Sequence, residues 1–150
     1  MDVLVHPKFY AENREEAIKK LVNYVYEKGY VKDKYLKAVL EREKVFPTGL
    51  ILAGKYHVAI PHCDAEHVLK PFCAVGVLDK PVEFRSMGDT KQKVDVSVVF
   101  LIGVVKKEEV VKTISKMAEL FQKEGAVESI VNAKSDREAV KILRSELSTN

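Results

Sequence analysis

Residues 96–105 read VSVVFLIGVV, and only Ser97 and Gly103 interrupt the large apolar side chains. A β-strand with one solvated face alternates apolar and polar residues; a nearly continuous run suits a strand covered on both faces. The run is far shorter than the ~20 residues needed to cross a bilayer. The strand expected over 94–103, VDVSVVFLIG, therefore demands two covering layers, and the rest of the chain must supply them.

Helical patterns stand on either side of it. In AENREEAIKKLVNYVYEKGY, Asn13 is placed to cap a helix, with Glu16 three residues on as in a capping box. Ala17, Leu21, Tyr24 and Val25 recur at helical spacing, and Gly29 is a stop signal. A second helix fits KDKYLKAVLEREK, with Asp33 as cap and Tyr35, Leu36, Val39 and Leu40 on one face; Pro47 and Gly49 then break the chain. HVAIP (57–61), FCAVGVL (72–78) and PVEF (81–84) read as short strands, and RSMGDTKQK as a polar loop. Beyond the long strand, KEEVVKTISKMAELFQKEG carries a stripe of Val110, Val111, Ile114, Met117, Ala118 and Phe121. VESIVNA suits a short helix, and SDREAVKILRSEL has a capping box from Ser135 and Glu138. The order is helix, helix, strands, helix, helix. It predicts an α/β fold in one domain over 1–150: a central mixed β-sheet flanked by helices on both faces.

Composition narrows the function classes. The formal charge is +3, from 25 basic and 22 acidic residues. That is a mixed surface, without the massed Lys and Arg of a nucleic-acid footprint. No signal peptide or membrane-inserting segment is visible, and two cysteines make no disulfide framework. Both thiols are expected to be reduced, in a cytoplasmic protein.

Three of the four histidines fall in HVAIPHCDAEHV, residues 57–68. One reading is a zinc site built from His57, His62, Cys63 and His67, although the spacing matches no common zinc pattern. Another is a set of ordinary loop histidines, which suits His6 and His57. The third is a nucleophilic histidine. AIP delivers His62 to the end of a buried strand, where α/β folds place their sites. A neutral imidazole has a free nitrogen lone pair with which to attack an electrophile, and its other nitrogen needs an acceptor to set the tautomer.

EREKVFPTGLILAGKYHVAIPHCDAEHVLKP, residues 41–71, resembles the active-site region of EIIA domains of the bacterial sugar phosphotransferase system, in the mannitol/fructose class. Three ordered motifs carry the resemblance: Arg42-Glu43, Thr48-Gly49 and Ile60-Pro61-His62. FPTG, and AIPHC followed by an acid, Ala, any residue and His, are most similar to the galactitol-specific EIIA.

The resemblance implies that His62 accepts a phosphoryl group from HPr and passes it to a cysteine of a cognate EIIB. That EIIB phosphorylates sugar, galactitol or a related polyol, entering through EIIC. It implies no cofactor and no metal. Arg42 falls where the family holds an arginine near the phosphorylated ring, and a guanidinium fork suits phosphate oxygens. Thr48 either donates to a phosphate oxygen or shapes the turn with Gly49. His67 is the candidate to assist His62. The mannitol enzyme's second histidine has no counterpart in GVVKKEEVVKTI, which leaves Glu109 as a further candidate. Cys63 reads as a small filler. Phe46, Leu50 and Ile51 are either core or partner contacts. Two other functions stay open: a regulatory EIIA-like protein whose phosphorylation state controls a partner such as a transcription factor, and a zinc-binding module.

Overall fold

The computed structural model describes residues 1–147; the last three positions of the 1–150 span lie outside the described residues. At its centre β4 (Phe72–Arg85) and β5 (Lys93–Gly103) pair antiparallel. β1 (Asp2–Phe9) adds to β4 in parallel, and β3 (His57–Ala59) adds to β5 in parallel. β2 (Gly49–Leu50) closes the far edge antiparallel to β3, so the order is β1-β4-β5-β3-β2. The sheet is mixed, as expected.

Helices cover both faces. α1 (Arg14–Glu27) and α2 (Tyr35–Val45) bury Ile18, Leu21, Val25, Tyr35 and Val39 on one face, against Ala74, Phe84, Val99 and Leu101. α3 (Glu109–Gln122), α4 (Ala126–Val131) and α5 (Asp136–Leu147) bury Met117, Leu120, Ile130 and Leu143 on the other, against Val75, Val98, Phe100 and Ile102. Alternate residues of the apolar run thus enter two different cores, so the run has no polar face. Its phase changes once. Val94 and Val96 face the α1/α2 core, and Val98 faces the other. β3 passes from Val96 to Val98 in a single step, leaving Ser97 unpaired. An extra unpaired residue of this kind kinks a strand and resets its alternation.

Several sequence expectations need correction. The N-terminal segment is an edge strand that the apolar pattern did not announce. His6, Pro7 and Lys8 interrupt it, and such residues are tolerated because β1 is an edge strand, with one side unpaired among the described residues. FCAVGVL and PVEF belong to one strand: Val77 pairs with Val98 and Val82 with Val96, so residues 78–81 bulge between them. Pro81, which lacks an N–H, stands in that bulge. Asp33 does not cap α2. Lys34 holds that position, and the Asp33 carboxylate accepts the Tyr26 hydroxyl at 2.5 Å instead. The α3 stripe turns less far toward the sheet than its spacing suggests: Val111 is 74% exposed, while Thr113 and Leu120 are buried. The other two caps form as read, with the Glu16 amide donating to Asn13 Oδ1 at 2.9 Å and the Glu138 amide to Ser135 Oγ at 3.2 Å.

Candidate functional site

α2 buries Tyr35, Val39 and Glu43, one residue per turn along a single ridge. Arg42 precedes Glu43 in the last turn, so it leaves the helix on a different bearing. The helix ends at Phe46, and Pro47 turns the chain toward the sheet edge. Thr48 follows, its carbonyl accepting the Ile60 amide at 3.3 Å. Gly49 is required here, since a Cβ would come within 2.6 Å of the Arg85 carbonyl oxygen. Its own carbonyl accepts the Met87 amide at 2.8 Å, which holds the 86–92 loop over the site.

From the other side, β3 ends at Ala59, and Ile60 and Pro61 carry the chain along the end of β5, where the Ile102 amide donates to Pro61 O at 3.1 Å. His62 emerges past the carboxyl ends of the parallel pair β3 and β5. It is 8% exposed, and its Nδ1 donates to the Ile60 carbonyl at 2.8 Å. A carbonyl can only accept, so the proton sits on Nδ1 and Nε2 keeps its lone pair. Burial pushes the imidazole below its usual titration range, and the charge of Arg42 acts in the same direction against Ile60 and Asp64. The ring is therefore neutral at neutral pH.

His62, Arg42 and Thr48 line one cleft of about 360 Å³. Val45, Phe46, Met87 and Val111 form part of its wall, and Ser115 reaches it from α3. The Arg42 guanidinium lies over the Phe46 ring at 5.3 Å, and its buried Nε has no hydrogen-bond partner among the described residues. An orphaned guanidinium donor beside a neutral imidazole is an arrangement that can receive an anionic group.

Thr48 does not aim its proton into the cleft. Its hydroxyl donates to Glu43 Oε1 and its amide to Glu43 Oε2, both at 2.8 Å. Glu43 is 2% exposed, and burial holds its carboxyl up at about 7, against the pull of both Thr48 donors, Arg14 and Arg42. The sequence names Glu43 only as half of the Arg42-Glu43 motif and assigns it no role. Its signal was there, because it continues the i, i+4 row of Tyr35 and Val39 into the core.

The remaining candidates lie elsewhere. His67 occupies a neighbouring groove with Arg42, Cys63 and Asp64, and its Nε2 stands 3.5 Å from the Glu66 carboxylate. The hydrogen bond that orients His62 comes from Ile60 and not from His67. Glu109 lines a different cleft, with Met1, Pro71 and Lys106. His57 Nδ1 accepts the Leu52 amide at 3.0 Å, which closes the β2–β3 connection. Cys63 is buried in the α1/α2 core, and burial pushes its thiol up to about 12. Among the described residues, no three His, Cys, Asp or Glu side chains converge as a metal site, and no helix is long and apolar enough to cross a membrane. Phe46 and Ile51 are exposed, whereas Leu50 is half-buried and packs on the α3–α5 core. A larger hollow of about 810 Å³, between residues 50–56 and α3/α4, shares no lining residue with the His62 cleft.

Similarity to known proteins follows the same outline. The chain is 35% identical over 137 residues to the mannitol-specific phosphotransferase enzyme IIA component of Halalkalibacterium halodurans, covering 89% of this chain and 86% of that protein. It is 29% identical over 119 residues to the galactitol-specific EIIA component of Escherichia coli K12, covering 79% and 78%. Its fold matches the complex of enzyme IIA mannitol with phosphorylated enzyme IIB mannitol from E. coli, with a TM-score of 0.75, 24% identity and coverage of 94% of each chain. The family model for the phosphoenolpyruvate-dependent sugar phosphotransferase system, EIIA 2, matches residues 2–146, and the chain belongs to that family of phosphotransferase components.

Proposed function

We propose that this protein is a phosphocarrier in polyol uptake of the mannitol or galactitol type, with His62 as its phosphoryl acceptor. The single observation that carries the reading is the neutral, Nδ1-anchored imidazole of His62 sharing a cleft with Arg42, whose Nε has no hydrogen-bond partner among the described residues.

In this reading phospho-HPr docks over the cleft, and Nε2 of His62 attacks the phosphorus atom of its phosphohistidine. The new N–P bond forms as the old one breaks, and the HPr nitrogen leaves with the electron pair. Positive charge delocalised onto the His62 ring is met at Nδ1 by the Ile60 carbonyl. Arg42 supplies donors to the phosphoryl oxygens, where charge stabilisation and positioning carry most of the catalysis. The phosphoryl group then passes to a cysteine of EIIB by the reverse geometry. Exposed Phe46 and Val111, with Val45 and Met87, form an apolar rim on which both partners dock in turn. The carrier never touches the sugar, so selection among polyols belongs to the permease.

The test is phosphorylation by Enzyme I, HPr and phosphoenolpyruvate, followed by mapping of the label. An acid-labile, base-stable label on His62, lost in His62→Ala, is the expected result. Wild-type labelling of His62→Ala would remove the proposal. Transfer from the labelled protein onto EIIB, against capture of a transcription factor, separates transport from regulation.

A further inference from the structure

Glu43 is a buried carboxylate for which the phosphocarrier reading has no use. Both of its oxygens bond Thr48, and Thr48 lines the cleft with His62 and Arg42. A threonine hydroxyl has one proton and two lone pairs. While Glu43 is ionised, that proton belongs to the carboxylate, and Thr48 turns only lone pairs toward the cleft. Such a hydroxyl repels a phosphoryl oxygen. A proton on Oε1 reverses the bond: the carboxyl donates to Thr48 Oγ1, and the threonine proton becomes free to donate into the cleft. The 2.8 Å separation suits either polarity.

Building on the phosphocarrier reading, we propose that Glu43 is a positioning residue that takes up one proton from solvent water when His62 is phosphorylated. By reversing its bond to Thr48, it makes that hydroxyl a donor to a phosphoryl oxygen. No covalent bond at Glu43 other than O–H changes, and the proton returns to solvent when the phosphoryl group leaves.

The surroundings suit this exchange. The charged groups acting on Glu43 are Arg14 from α1 and Arg42 from its own helix, and both favour the carboxylate. Burial outweighs them, so the carboxyl stands close to half-protonated near neutrality. A phosphoryl group on His62 adds negative charge and competes for Arg42, and both effects favour protonation of Glu43. The Thr48 amide bond to Oε2 persists in either state, so the backbone need not move.

Glu43→Gln imitates the protonated form, since its amide nitrogen donates to Thr48 Oγ1 while its oxygen accepts the Thr48 amide. The experiment measures the phosphoryl equilibrium with phospho-HPr between about pH 6 and 9 for wild type and Glu43→Gln, each also in a Thr48→Val background. Taking the ratio cancels the titration of HPr. The wild-type equilibrium should fall relative to Glu43→Gln by up to about tenfold per pH unit above about pH 7, because one proton is taken up with the phosphoryl group. In the Thr48→Val background Glu43→Gln should confer no advantage. An infrared difference spectrum of wild type should gain a protonated-carboxyl band on phosphorylation, absent from Glu43→Gln; it decides the matter alone if that variant does not fold. Parallel pH curves, or no carboxyl band, overturn the role of Glu43 while leaving the carrier reading intact. A wild type that accepts no label overturns the carrier reading, and this proposal with it.

Discussion

Each residue of the site is defined by what it lacks as much as by what it holds. His62 commits its Nδ1 proton to the Ile60 carbonyl and keeps the lone pair on Nε2. Among the described residues the buried Arg42 Nε has no acceptor. Lysine in place of Arg42 keeps the charge but loses the planar fork, so Arg42→Lys should slow phosphorylation of His62 by about a hundredfold. Stopped phosphoryl-transfer assays under single-turnover conditions would read this, and a wild-type rate would show that charge alone suffices. Glu43 gives a stability signature separate from its proposed role. Its folded-state carboxyl, at about 7, lies above the ordinary value of 4.5. The folded chain therefore holds a proton that the unfolded chain has released. The stabilisation is complete below about pH 4.5 and disappears as the pH rises through about 7, amounting to about 3 kcal/mol. Thermal melts of wild type and Glu43→Gln should diverge over that window, with the variant gaining relative stability as pH rises. A constant difference in melting temperature would contradict the burial argument.

At the scale of elements, the central strands pack so closely that small residues have fixed tasks. Phe72 on β4 pairs with Gly103 on β5, and a Cβ on Gly103 would come within 2.2 Å of the Phe72 ring. That ring is fully buried, so it has nowhere to go. Gly103→Ala should destabilise the protein by about 1–3 kcal/mol through overpacking, which a denaturant midpoint shift at unchanged slope would register. An unchanged midpoint would mean that the β4–β5 pair tolerates a local shift. The helices show how far local pattern reaches. The caps at Asn13 and Ser135 form as their spacing implies, because a capping bond spans only three residues. The face that α3 buries leaves out Val111, which its spacing places in the apolar stripe. Rotation of a helix about its axis is set by the sheet beneath it, and the 3.6-residue period alone leaves that angle open by part of a turn.

Over the whole molecule, the sheet separates two cores, and the site opens where one end of it meets α2, α3 and the 86–92 loop. The Tyr35 hydroxyl spans from α2 to the Ile102 carbonyl at 2.7 Å, tying the site's helix to the strand beside Pro61. The apolar rim costs little in stability, because Val111 is already solvated. Val111→Asp should leave the melting temperature within about 2 °C and raise the KM for phospho-HPr or EIIB, with kcat little changed. An unaltered KM for both partners would place docking elsewhere on the surface.

The sequence by itself determined the layered α/β class, the helix caps at Asn13 and Ser135 but not the one expected at Asp33, and the Arg42, Thr48 and His62 motifs with their family. All of these rest on period, spacing or residue type within a short stretch of chain. Tertiary structure alone decided the rest. It made Asp2–Phe9 a strand despite His6, Pro7 and Lys8, because β4 offered a free edge. It reset the alternation at Ser97, because β3 had to meet β5 in register. It gave His62 Nδ1 the Ile60 carbonyl as partner, set His67 in a neighbouring groove and placed Glu109 in another cleft. Above all, it buried Glu43 against Thr48. The two are five residues apart, yet nothing between them states that water will be excluded. Desolvation depends on every element packed around a group, and that sum exists only once the chain has folded.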